Sequence, residues 1–244
     1  MFVGHYGVAL AAKAPDKRVP LWLLFLAVQW LDVVWSALVM LNVEKLRIVP
    51  GLAEGSALDL YYMPYTHGLI GALALSAALG AMAMLFVRER RAAIFAVVTG
   101  AVFSHWLLDL VVHVPDLPLW GDAFKVGFGL WRHLWISFPL EIATLAAGAA
   151  VYARAVPSRN LHGDVWLWGF VAAMAVVQAI GSFGPAPESG LAQARLALFF
   201  YLLLAALAGL VDWVRGRAPR PKGALVPPVN AVNERRLTGR AASL

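Results

Sequence analysis

The sequence predicts an all-α polytopic membrane protein, a bundle of about six transmembrane helices with an N-terminal re-entrant or half helix. Two observations carry that expectation. Of 244 residues, 61% are hydrophobic and 14% charged, with a mean hydropathy of +0.72, far more apolar than a soluble domain of this length. Six apolar stretches also approach the roughly 20 residues that a helix needs to cross a hydrocarbon core. Lipid offers the backbone no hydrogen-bond partner, so each stretch is expected to be helical.

The elements follow in order. Residues 1–12 are apolar and precede Lys13, Lys17 and Arg18, the reverse of a signal peptide's order, so no cleavage is expected. To bring His5 to the other polar groups, this segment must dip back into the bundle. The six spans are 21–42, 65–87, 92–114, 132–153, 164–184 and 194–214. Between them, 43–64 and 115–131 are turn-rich loops long enough to fold over a cavity mouth. Residues 1–215 form the transmembrane domain, with the site-bearing part in 1–145. Residues 216–244 are a basic, Pro-punctuated tail expected to be disordered. No internal repeat is present, which weighs against a repeat-built transporter.

Charge sets the expected orientation. Fifteen Lys and Arg fall on one side of the spans and five on the other, so both termini are expected in the cytoplasm of a bacterial-type inner membrane. The basic residues lie in loops and the tail rather than interleaved with aromatics, so the expected partners are the lipid bilayer and a lipid-like substrate, with no nucleic acid. Absence of cysteine removes disulfides, thiolate metal sites and a Cys nucleophile.

Ionisable groups inside spans cost roughly 2.5–3.5 kcal/mol each on insertion scales, and they usually face the bundle interior and work there. Asp32, His105, Asp109 and Glu141 are such groups, and His67, His113 and His133 lie nearer the outer ends. At about 1.5 Å per residue, the first four share the outer half of the membrane. His105, Asp109 and His113 recur at four-residue spacing, one column on one helix face. Histidine and carboxylate converging from separate helices is how bundles build metal sites. Nitrogen and oxygen ligands suit Zn²⁺, Mn²⁺ or Fe²⁺. Asp116, beyond Pro115, could instead cap a loop turn. His133 reads as interfacial, His162 carries no role, and Trp131 is a candidate cavity lining.

The pattern resembles the bacterial inner-membrane metal-dependent hydrolases of the LexA-regulated type, regarded as distant relatives of zinc-dependent phospholipase C and single-strand-specific nucleases. The resembling residues are Gly4-His5-Tyr6-Gly7, Asp32, Tyr65-Thr66-His67-Gly68, Ser104-His105-Trp106-Leu107-Leu108-Asp109, His113-Val114-Pro115-Asp116 and Gly129-Leu130-Trp131. The order His5, Asp32, His67, His105-x-x-x-Asp109, His113 follows the phospholipase ligand order and departs at its end, where Ser137 stands four residues after His133. The resemblance implies one or two divalent ions, zinc being the expected one, with His5, Asp32, His67, His105, Asp109 and His113 as ligands. Asp32 would bridge metals or activate water, and Glu141 is the second candidate catalytic carboxylate. The implied activity is hydrolysis of a phosphodiester in a lipid-like substrate. From the residues alone, two other classes remain open: a proton- or cation-coupled transporter using the intramembrane carboxylates, and a bis-histidine haem protein.

Overall fold

The computed structural model describes residues 1–86, 90–159 and 161–216. The expected tail lies outside the described residues apart from Gly216. The chain is mostly helical. Five helices are long and apolar enough to cross a membrane: α4 (Leu69–Phe86), α5 (Arg91–Val112), α6 (Leu134–Ala155), α7 (Leu161–Phe183) and α8 (Gly190–Gly216). They follow α1 (Val3–Ala11), α2 (Leu21–Val28) and α3 (Trp30–Met40). Large apolar side chains such as Phe86, Leu161, Ile180 and Phe199 are exposed along the outer faces, which accords with a multi-pass membrane protein.

The expected span 21–42 is a broken helix: α2 and α3 bend by 55° at Gln29 and together would make a sixth crossing. The break serves the site, because the Val28 carbonyl accepts a hydrogen bond from His105 Nδ1 at 2.7 Å. Freed backbone groups in a broken membrane helix need such a partner.

The all-α expectation requires one correction. Loop 43–64 contains an antiparallel hairpin, β1 (Lys45–Ala53) with β2 (Ser56–Tyr62). Arg47 faces Asp59 across it, with Nε to Oδ2 at 2.6 Å. The physical signal is the alternation Leu58-Asp59-Leu60-Tyr61 behind the Glu54-Gly55 turn, which is strand rather than helix periodicity. Leu60 enters a small cluster with Trp35, Met63, Leu117 and Ala194.

The hairpin and loop 115–131 are joined over one end of the bundle. Gly55 N–H donates to the Trp131 carbonyl at 2.8 Å, and Leu134 N–H donates to Glu54 Oε2 at 3.1 Å. The loop in turn is tied to the end of α5 by Phe128 N–H to Leu110 O at 2.8 Å and Gly129 N–H to His113 O at 2.7 Å.

Helix α1 packs on α6, α2 and α5. Two glycines permit its close approach, since a Cβ on Gly7 would run into the Thr144 carbonyl and one on Gly148 into the Gly7 carbonyl. The main core beneath the site includes Tyr6, Leu24, Phe25, Val102 and Leu145.

Candidate metal centre

Asp109 is the hub. It lies on the inward face of α5 with His105 one turn before it, and both are buried. Its Oδ2 is approached by three imidazoles through the same atom: Nε2 of His105 at 3.0 Å, of His113 at 3.5 Å and of His67 at 3.7 Å. Its Oδ1 meets the α-amino group of Met1 at 2.6 Å and His5 Nε2 at 3.2 Å. Asp32 closes the cluster from α3, with Oδ1 at 3.3 Å from His67 Nε2 and 3.7 Å from His105 Nε2. The His5 and His105 rings stack at 4.0 Å.

The other nitrogen of each of those three imidazoles is already engaged. His105 Nδ1 can only donate to the Val28 carbonyl. His113 Nδ1 donates to Asp116 Oδ1 at 2.9 Å. His67 Nδ1 lies 2.8 Å from Thr66 Oγ1, whose hydroxyl donates to Glu44 Oε2 at 2.5 Å and therefore accepts from the ring. In the neutral rings these partners place the proton on Nδ1 and the lone pair on Nε2, facing the carboxylates. Such partners orient metal-ligating histidines and set their tautomer.

Two overlapping triads have ligand atoms close enough to share an ion, His5–His105–Asp109 and Asp32–His67–His105. His5 Nε2 and His105 Nε2 are both buried without a hydrogen-bond partner among the described residues. Buried lone pairs left unpaired are costly, and a divalent cation would satisfy them. The donor set, imidazole nitrogen with carboxylate oxygen and no sulfur, fits such an ion.

Five of the six expected ligands, His5, Asp32, His67, His105 and Asp109, fall in these triads, and His113 lies beside them, its Nε2 3.5 Å from Asp109 Oδ2. Glu141 does not join either triad. Its Oε2 accepts the backbone N–H of Phe2 at 2.7 Å and of Gly4 at 3.3 Å, which holds the start of α1, and so His5, against α6. Asp116 does not serve only the loop, because its Oδ1 orients His113. His133 is exposed, as an interfacial residue would be.

The sequence reading found no motif in the last two spans, yet both reach this region. Tyr201 of α8 donates from its hydroxyl to Asp32 Oδ2 at 2.8 Å, and Gln178 of α7 accepts from Val3 N–H at 3.4 Å. Glu44 was also missed, and Thr66 stood in the Tyr65-Thr66-His67-Gly68 motif with no role of its own. Thr66 precedes a candidate ligand, a weak signal, while Glu44 lies 22 residues away in a loop and carries none. Trp131 stands against His113 with ring centroids 4.2 Å apart. The Trp106 indole donates to the His67 carbonyl at 2.9 Å, joining α5 to the segment that carries the ligand.

No family model matches the chain, and neither the curated proteins nor the solved structures compared with it contain a match.

Proposed function

We propose that the chain is a multi-pass membrane hydrolase that uses a divalent metal ion, with zinc the first choice, on a phosphodiester of a lipid-like substrate. The carrying observation is the convergence of three oriented Nε2 atoms, of His67, His105 and His113, on Asp109 Oδ2, with the Nδ1 of each of these three satisfied from behind. His67, His105, His113, Asp109 and Asp32 would hold the ion, with His5 as a further ligand on the Oδ1 side. A bound divalent ion would supply Lewis acidity, polarising a phosphoryl oxygen and bringing the pKa of a water close to neutral.

The protein's own groups would do the rest. Asp32 is the least buried member, its side chain 15% exposed against 3% or less for His67, His105 and Asp109, so a substrate would meet the site there. Tyr201 occupies Asp32 Oδ2 and leaves Oδ1 toward the imidazoles. Glu141 would act through α1, by positioning His5. The resemblance to the inner-membrane metal-dependent hydrolases supports the same reading. Six crossings, the broken α2–α3 helix included, with both termini cytoplasmic and the site in the outer half of the membrane, complete it.

The test is elemental analysis of the purified protein, followed by cleavage of a chromogenic phosphodiester. Stoichiometric metal in the wild type, lost in His105→Ala and Asp109→Ala, is expected, with hydrolysis lost alongside. A wild-type protein that never acquires metal overturns the proposal.

A further inference from the structure

One turn along α3 from Asp32, two buried polar groups remain that a metal ion cannot explain. Trp35 and Ser36 share the inward face of α3 with Asp32, by their spacing of three and four residues. Trp35 is 3% exposed and Ser36 is fully buried. Neither Trp35 Nε1 nor Ser36 Oγ has a hydrogen-bond partner among the described residues. The Trp35 ring meets the His67 ring at 6.4 Å and an angle of 80°, and it packs with Met63 and Leu117 beneath the hairpin and the loop. An indole N–H can only donate. A cation satisfies the lone pairs of His5 and His105 but repels this donor, so the indole needs an acceptor. Unsatisfied buried donors are rare enough in native structures to demand an explanation.

We propose that Trp35 Nε1–H, together with the hydroxyl of Ser36, the next residue on α3, binds a phosphoryl oxygen of the substrate next to the metal centre. The inference rests on the metal-centre reading and adds a substrate-binding wall to it. A neutral donor pair suits this location: it recognises an anionic oxygen in a low-dielectric site without adding a buried positive charge that would compete with the metal. The phosphoryl group could belong to a phospholipid headgroup or to a free phosphate ester.

The experiment uses the full chain in detergent, loaded with zinc, and measures binding of inorganic phosphate and of a short-chain phosphatidylglycerol. The proteins compared are wild type, Trp35→Phe and Ser36→Ala. Trp35→Phe keeps the ring and removes the N–H. It is expected to retain wild-type zinc content and to bind phosphatidylglycerol about tenfold more weakly, Ser36→Ala showing a smaller loss. A parallel loss on inorganic phosphate assigns the contact to any phosphoryl group, and a loss confined to phosphatidylglycerol assigns it to the lipid headgroup. Both support the proposal. Unchanged affinity for both probes at full zinc content overturns it and leaves the metal centre standing, the result expected if the indole merely holds a water. Loss of zinc in Trp35→Phe also overturns it, by placing the indole in the scaffold of the centre. A wild type that takes up no zinc removes the metal-centre reading and this inference together.

Discussion

Replacing Asp116 with alanine tests the layer of contacts behind the candidate metal ligands. Asp116 Oδ1 accepts from His113 Nδ1 at 2.9 Å, and both residues are buried. Removal leaves a buried N–H unpaired and lets the ring turn Nε2 away from Asp109. A hydrogen bond to a charged group contributes about 1.5–3 kcal/mol. Loss of a contact behind a ligating histidine typically costs 10- to 100-fold in metal affinity, which is about 1.4–2.8 kcal/mol, so two independent magnitudes coincide. Asp116→Ala is therefore expected to weaken zinc about 30-fold by the same reasoning. Asp116→Asn retains an acceptor oxygen for Nδ1–H and is expected to lose less than about tenfold. Competition against a chromophoric chelator in detergent measures both, with Asp122→Ala as control, since Asp122 pairs with Lys125 at the loop surface, at 2.9 Å. Zinc affinity in Asp116→Ala within about twofold of wild type, while His105→Ala loses the ion, would refute the orienting role.

Other outcomes follow from the same contacts. Gly148→Val places side-chain carbons against the Gly7 carbonyl, so overpacking of about 1–3 kcal/mol should lower the unfolding temperature and, by shifting α1, loosen His5. A thermal melt in detergent checks this. Tyr201→Phe removes one hydrogen bond from Asp32 Oδ2, a net loss of about 0.5–1.5 kcal/mol, and should weaken zinc less than Asp116→Ala does. An equal or larger loss would make Tyr201 more than a support for Asp32.

Much of the candidate site is legible along the chain because its ligands are conspicuous. A histidine or carboxylate in an apolar span has few structural excuses, and the four-residue spacing of His105, Asp109 and His113 places them on one face before any tertiary contact is known. The supporting contacts are not legible in that way. Tyr201 resembles any aromatic in an apolar helix, and Glu44 any acidic loop residue, until the fold sets one against Asp32 and the other against Thr66. Glu141 shows the converse. Its depth and charge mark it as a site residue, whereas its contacts are with the backbone of α1. The hairpin was hidden for another reason: its strands are only partly buried and the first is interrupted by Pro50 and Gly51, so the turn residues dominate the local pattern over the alternation.

Composition and periodicity by themselves determine that this chain forms apolar helices of membrane-crossing length carrying a small set of ionisable groups, because hydrocarbon admits few other solutions for a backbone or a charge. Which atoms of those groups face one another is decided only by tertiary structure. The break at Gln29 turns the Val28 carbonyl toward His105, the close approach of Gly7 and Gly148 seats α1 beside α6, and the joined hairpin and loop bring Trp131 onto His113. Each is a contact between segments distant in sequence, and local periodicity holds no information about a partner it does not contain.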